Sequence, residues 1–480
     1  MEPSIESRKD KKLNISQKKF YSEIAAIIIG VIIAFIPPPA GLTTLAMWTL
    51  GLLMWAIINW IFNPMPNFVV MLLMCCAWFL LGIVPFETAF GAFAGKTIWL
   101  LIGVFGIGAA VTKSGLLGRI ALLAMRVFPP NFKGQVMALM ASGTLIAPLI
   151  PSTMAKVTIA GPMAAGIGQK LGFKPGSKGM GGLFSAMYSG FSLTGPIFIS
   201  ASFFGYMIHA LLPTDVQAQF TWTYWFMAMI PWAIVFLIGC FFSIIKLYKP
   251  DEETPLPKDS VKKQLEELGP MSRDEKVTLT ILALCVIFWV LESITKIPAA
   301  IPAIVGCALL IAFKVISPQD YNTKINWGLI TFAGGVMGLA TVLSTVGIPA
   351  WIGETFGPYM ERVTGNPYLF VFTAAIAMFV IRLIIVDHMT AFTLFIVILT
   401  PFCLNAGISP WIAGITAYVS VMPWVVYYQN IQFIAAFESA GGEELIGYKQ
   451  TIKYCFAYTV VTIIGLLVSV PYWQLLGLIN

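Results

Sequence analysis

The stretch "LIAPLIPSTMAK" (145–156) lies in the middle of a run, Gln135 to Gly168, whose only charge is Lys156. Built as one straight helix, that run would extend roughly 51 Å at 1.5 Å per residue, against about 30 Å of hydrocarbon in a bilayer. It must bend back or break. Pro148, Pro151 and Pro162 supply the breakers, because proline lacks the amide donor and clashes with the preceding turn. Ser152, Thr153 and Lys156 supply the polar side chains. A second run, Phe370 to Leu404, is as long and is interrupted only by Arg382 and "VDHMT" (386–390). Both read as re-entrant hairpins with polar tips; the alternative is a pair of short spans joined by a tight polar turn at the membrane surface. Irregular backbone at membrane depth survives only where protein or a watery cavity satisfies its polar groups, so two such tips imply a cavity between them.

The rest of the chain agrees with a membrane setting. Of 480 residues, 58% are hydrophobic and 11% charged, whereas soluble domains carry about 25% charged residues. Apolar stretches at 20–37, 41–61, 66–85, 97–112, 180–208, 221–247, 277–294, 299–315, 327–346, 411–434 and 451–476 each approach the roughly 20 residues that a helix needs to span. The fold class expected is therefore an all-α polytopic membrane protein, with about eleven transmembrane helices plus two re-entrant hairpins. Residues 1–19, rich in Lys and Arg, read as a cytoplasmic basic tail rather than a cleaved signal, and 20–40 as the first transmembrane helix.

The net charge of +7 sits in short connections, where the positive-inside bias explains it better than a nucleic-acid partner does. With the amino terminus inside, Lys113, Arg119, Arg126, Lys133, Lys170, Lys178, Arg273, Lys276, Lys314, Lys324 and Lys449 fall inside, and Lys96, Lys296 and Arg362 outside. In this arrangement "KTIWLLIG" (96–103) and "KINWGLIT" (324–331) run in opposite directions. The chain reads as two inverted repeats. Repeat 1 covers 41–248, with scaffold helices 41–130, a hairpin 135–170 and a broken helix 180–208. Repeat 2 covers 277–480, with scaffold helices 277–360, a hairpin 367–405 and a broken helix 411–434. A cytoplasmic linker, 249–276, joins them. The hairpin tips keep register: Met154 and Met389 are 235 apart, close to the 228 that separates the octets.

Inverted repeats with broken helices meeting near the midplane are the build of secondary transporters, and channels also use re-entrant loops. The seven cysteines show no ligand spacing and read as packing residues, with no metal site. No Walker A sequence and no nucleophile–base constellation is present, so neither an ATP-driven pump nor an enzyme is expected, and no organic cofactor is called for.

At the first tip, Ser152, Thr153 and Lys156 offer hydroxyls, a charge and the free N–H groups of a following half-helix, a combination that suits an anion; the alternative is a capping Ser/Thr and a snorkelling lysine. At the second tip, Arg382, Asp387, His388 and Thr390 interrupt apolar sequence, where each charge costs about 2.5–3.5 kcal/mol on insertion scales. Asp387 is either a structural counter-ion or a titrating group for proton coupling. "SLTGPIF" (192–198) places Thr194 and Gly195, and "MPWVVYYQNIQF" (422–433) places Tyr428 and Asn430, inside the two broken helices, where freed carbonyls and side-chain donors can meet substrate or ions.

"TIWLLIGVFGIGAAVTKSGLLGRIALL" (97–123), "LIAPLIPSTMAK" (145–156) and "SLTGPI" (192–197) resemble the divalent anion/sodium symporter family, closest to its bacterial citrate, tartrate and succinate exchangers. The resemblance implies a scaffold and a moving transport domain in a homodimer, seated in the bacterial inner membrane. It also implies carboxylate-binding hairpin tips that bear Ser-Asn-Thr. By position, Ser152 matches the serine of the first tip, and Lys156 stands where exchangers often carry arginine. Thr153 and Met154 stand in place of asparagine and threonine. At the second tip His388 and Thr390 are the remnants of the pattern, and Thr194 with Gly195 matches the first unwound Thr-Gly. Loss of both asparagines argues against a bound sodium ion. The expectation is a carrier of small organic anions, di- or tricarboxylates, working by alternating access as an antiporter or proton-coupled carrier. The alternatives are a sodium-coupled dicarboxylate symporter, a carrier of a sulfonate or sulfate, and an anion channel.

Overall fold

A computed structural model describes residues 5–252 and 265–479. Among them every element is helical, save one isolated bridge between Ile408 and Ile479. Seven helices are long and apolar enough to cross a membrane, and two shorter apolar ones, Asn67–Leu80 and Ala300–Ala312, accompany them. The protein is a polytopic helical membrane protein.

Local chemistry sets the helix ends. Helices start on residues whose side-chain oxygen takes an otherwise orphaned amide: Thr43 accepts from Ala46 N at 3.2 Å, Asn131 from Gly134 N at 2.8 Å, and Asn366 from Tyr368 N at 3.0 Å. Ser272 and Glu275 form a full capping box, as do Ser317 and Asp320. The first helix runs Ile5–Phe35, so the basic stretch expected as a separate tail extends the helix; Lys, Arg and Glu are good helix formers. Of the expected linker 249–276, residues 253–264 lie outside the described residues, and Arg273–Val290 is already the next helix. In "KINWGLIT", Lys324 ends a short helix, Pro318–Lys324, instead of opening a span.

Both long runs break where their polar residues fall. The first is Phe132–Ile146, a turn at Ala147–Leu149, then Thr153–Lys170. The second is Pro367–Ile384, then His388–Asn405. Each is followed by a broken helix. Lys178–Tyr188 passes through irregular turns at Ser189–Ala201 into Phe203–Leu211. Pro410–Ser420 passes through a gap and Tyr427–Gln429 into Ile431–Ser439.

Small residues let these pieces touch. A Cβ on Gly143 would lie 2.1 Å from the Gly190 carbonyl carbon, so the first hairpin meets its broken helix backbone to backbone. The halves also exchange partners. Helix Thr153–Lys170 packs on Ile431–Ser439, where Ser439 donates to Val157 O at 3.1 Å, and His388–Asn405 packs on Phe203–Leu211. All seven cysteines are free.

At the charged end of the bundle, Arg119 binds Glu275 through Nε at 2.6 Å and Nη2 at 3.2 Å, and also donates to Gly269 O and Leu268 O. This joins helix Leu116–Met125 to the start of Arg273–Val290. The guanidinium hydrogen bonds, opposed by burial, hold the Glu275 carboxyl below its ordinary value. A depressed carboxylate contributes stability above its unfolded pKa and loses it as pH falls through the folded value, so this joint weakens only in acid, below about pH 4. We expect Glu275→Ala to destabilise the detergent-solubilised protein by about 3–5 kcal/mol, because it strands a buried guanidinium. Arg119→Met combined with Glu275→Ala should recover much of that loss; thermal melts of the single and double variants measure both.

Candidate functional site

Tip 1 begins where Ile150 becomes extended and Ser152 starts the next half-helix, its Oγ accepting from Ala155 N at 3.2 Å. Thr153 is buried behind it. Lys156, one turn in, is 0% exposed, and its Nζ donates to Ala201 O at 2.8 Å. The lysine therefore does not snorkel to a surface. Two more bonds stitch the tip to the first broken helix: Ser200 Oγ to Pro148 O at 2.8 Å, and Phe203 N to Pro151 O at 3.2 Å. Thr194 turns its hydroxyl back onto Gly190 O. A Cβ on Gly195 would lie 2.5 Å from the Tyr418 hydroxyl, so a larger residue there would have to displace that side chain.

Tip 2 is organised by two charged residues that do different jobs. Asp387 is the N-cap of His388–Asn405: its Oδ2 accepts from Thr390 N and Thr390 Oγ1, both at 2.8 Å, and from Asn67 Nδ2 at 3.2 Å. Arg382 is 2% exposed and binds carbonyls: Ile385 O at 2.6 Å, Val386 O, Gln429 O, and Val421 O at 3.3 Å. No salt bridge joins Arg382 to Asp387 among the described residues. Five residues apart, the pair does not share a helical face, and the bend at Ile385 leaves each with backbone partners instead. His388 is 5% exposed, stacks on Phe204 with ring centres 5.6 Å apart, and has an Nε2 with no hydrogen-bond partner.

The two tips are neighbours through Phe203 and Phe204, the first bonded to Pro151 and the second stacked on His388. Asn430 lies in the second break and is consumed there: it caps the helix that follows and donates to Met422 O at 2.6 Å. Tyr428 stands apart, 62% exposed. Sequence reasoning missed Asn67, Ala201, Phe204 and Tyr418. Asn67 closes "NPMPN" (63–67), a punctuated turn that marks a helix start but not its contact 320 residues away.

Two hairpins, each followed by a broken helix, define the class: a multi-pass helical membrane protein with helices interrupted inside the bundle. Residues 17–479 match the family described as the sodium:sulfate symporter transmembrane region, and the chain belongs to that family, the divalent anion/sodium symporters. It is 27% identical over 346 residues to the putative malate transporter YflS of Bacillus subtilis, covering 71% of this chain and 72% of that one. It is 23% identical to an L-tartrate/succinate antiporter of Escherichia coli, covering 85% and 91%. Among solved structures, the YdaH transporter of Alcanivorax borkumensis superposes with a TM-score of 0.54 at 15% identity, covering 81% of this chain and 87% of that one. MtrF of Neisseria gonorrhoeae superposes with a TM-score of 0.56 at 12% identity, covering 96% and 94%; these two speak to fold alone.

The capping geometry makes a prediction about Asp387. Asparagine accepts the same amide, so Asp387→Asn should melt close to wild type, whereas Asp387→Ala should lose about 1–2 kcal/mol. Equal losses in both variants, measured by thermal denaturation in detergent, would show that the charge matters more than the cap.

Proposed function

We propose that this chain is a secondary active transporter of small organic anions, di- or tricarboxylates, and that it works by alternating access as an antiporter or proton-coupled carrier. The observation that carries the reading is Lys156: fully buried at a hairpin tip, bonded to one carbonyl, and without a carboxylate partner among the described residues. An ammonium has three donors, so two remain to be met. Desolvating such a group costs several kcal/mol, a cost that an arriving anion offsets.

The surroundings support an anion on the same side. Ser152 begins a half-helix whose N-terminal amides carry positive partial charge, and the unpartnered Nε2 of His388 offers a further polar contact across Phe204. Thr153, Thr194, Gly195 and Thr390 complete the wall as we read it. Asp387 and Asn430 hold the backbone in shape, and Tyr428 belongs at a mouth of the pathway. The relatives described as malate, dicarboxylate and tartrate/succinate transporters favour carboxylates, and the last favours exchange.

The repeated order of hairpin then broken helix, with the exchanged packing between halves, supports two inverted repeats. The lysine and arginine distribution supports a cytoplasmic amino terminus, and similarity to the inner membrane protein YbhI of Escherichia coli supports a bacterial inner membrane. The family's description names sodium and sulfate, which keeps a sodium-coupled carrier as the second reading.

Counterflow into proteoliposomes separates these readings. Uptake of labelled malate or succinate that requires unlabelled anion inside supports exchange; uptake driven by an imposed pH or sodium gradient from an empty lumen supports symport. Channel-like flux, orders of magnitude above carrier turnover, would overturn the carrier reading. Lys156→Ala and Ser152→Ala should each lower uptake by at least about ten-fold while the protein stays folded, as expected for a charge-assisted hydrogen bond worth about 1.5–3 kcal/mol. Wild-type uptake by Lys156→Ala would remove that lysine from the binding site.

A further inference from the structure

Arg382 sits in the last turn of Pro367–Ile384, and its guanidinium turns onto four carbonyl oxygens from two separate segments. Ile385 and Val386 belong to the hairpin tip; Val421 and Gln429 lie at the two ends of the gap in the second broken helix. Gln429 returns a bond from Nε2 to Arg382 O at 3.3 Å. All four oxygens are free because a helix has just ended or a break interrupts it, and no carboxylate comes within ion-pair distance among the described residues. A positive charge is thus held wholly by backbone oxygens at the junction of a hairpin and an unwound helix. In secondary transporters, that kind of junction is where unwound carbonyls hold a dissolved coupling cation.

We propose that Arg382 is a tethered replacement for an exchangeable cation: it fills a carbonyl cage shared by the second hairpin and the second broken helix. The chain thereby carries its own positive charge through every cycle. Translocation then needs no sodium ion at this position. A plain helix-terminus contact would account for Ile385 and Val386, but Val421 and Gln429 lie 39 and 47 residues further along the chain and have no part in ending that helix. Lys156 is different in kind: one carbonyl takes one of its three donors, which leaves it open to substrate, whereas four of the five Arg382 donors are spent on protein.

The test is removal of the tether and return of a free cation. Purified full-length Arg382→Ala should be stabilised in thermal melts by low concentrations of guanidinium or sodium chloride, with choline chloride as control. Wild type should show no such gain, since guanidinium is ordinarily a denaturant. Arg382→Met, which fills the space without charge, should not respond. This arm stands without the carrier reading; the second arm rests on it. In proteoliposomes, wild-type exchange should not change when choline replaces sodium, whereas Arg382→Ala should lose at least about ten-fold in choline and recover part of that with guanidinium or sodium. Wild-type exchange by Arg382→Ala in choline, or a folded Arg382→Ala that no cation stabilises, overturns the proposal. If Arg382→Ala does not fold, Arg382→Lys carries the test: sodium-independent exchange is expected, and stimulation by sodium or a complete loss counts against the tether. If no anion tested is exchanged by wild type, the thermal arm still decides the cage, and the carrier reading alone fails.

Discussion

The structure depends on how it satisfies backbone polar groups where helices stop inside the bundle. Each hairpin tip and each broken helix exposes amides on one side of the break and carbonyls on the other, and in a low-dielectric interior none can be left without a partner cheaply. Amides are taken by short side chains that begin the next half-helix: Ser152, Ser202, Asp387 and Asn430. Carbonyls are taken by long cationic side chains, Lys156 and Arg382, and by the indole of Trp225, which donates to Pro196 O. Because each cation spans from a hairpin to the broken helix that follows it, hydrogen bonding that satisfies the backbone also fixes the two pieces relative to each other.

That linkage explains why both buried charges are tolerated. A lone cation moved into the bundle is costly, and a carboxylate partner recovers the cost only with good geometry. Here carbonyl dipoles do the work, as they do at helix C-termini. Lys156 keeps two of its three donors, whereas Arg382 has committed four of its five. The asymmetry separates a group that can receive an anion from one that serves the frame: Lys156 follows the break in its hairpin, whereas Arg382 precedes the break in the other.

The large features were legible from length and charge alone. Neither Gln135–Gly168 nor Phe370–Leu404 can be one helix in a bilayer, and both breaks fall within a residue or two of the proline and polar positions. Ser152 as a cap could be read from its place before a half-helix. Asp387 could have been read the same way, since Asp-x-x-Thr at a helix start is capping chemistry; its charge in apolar sequence drew the reading toward ion pairing instead. What stayed hidden was long-range pairing. Phe204 is one aromatic among many, and nothing local marks it as the residue on which His388 stacks. Tyr428 and Asn430 are two apart in sequence, yet one is exposed and the other buried, because the backbone between them turns at Tyr427–Gln429 and breaks the periodicity on which a sequence argument relies.

The distribution of hydrogen bonds also bears on motion. Residues 132–247 and 367–479, which hold the hairpins and broken helices, are tied together by Ser439 to Val157 O, by Trp473 to Ala228 O and by the hydroxyls of Ser189 and Tyr454. The flanking set, 5–125 and 273–364, is tied by Arg119–Glu275, Lys113–Asp320 and Trp351 to Ala40 O. Side-chain hydrogen bonds between the two sets are sparse: Asn67 to Asp387, Ser142 to Ala121 O and Thr223 to Val290 O. Apolar contact forms the rest of that boundary, as where a Cβ on Gly103 would strike the Ala303 backbone within one set while Phe105 stacks on Phe203 across it. Apolar surfaces slide at little cost because dispersion is non-directional, whereas directional bonds resist. The proposed alternating access therefore has a natural plane of slip, and Asn67–Asp387, which fastens a hairpin tip to the flanking set, is one of three directional bonds that such a movement must break.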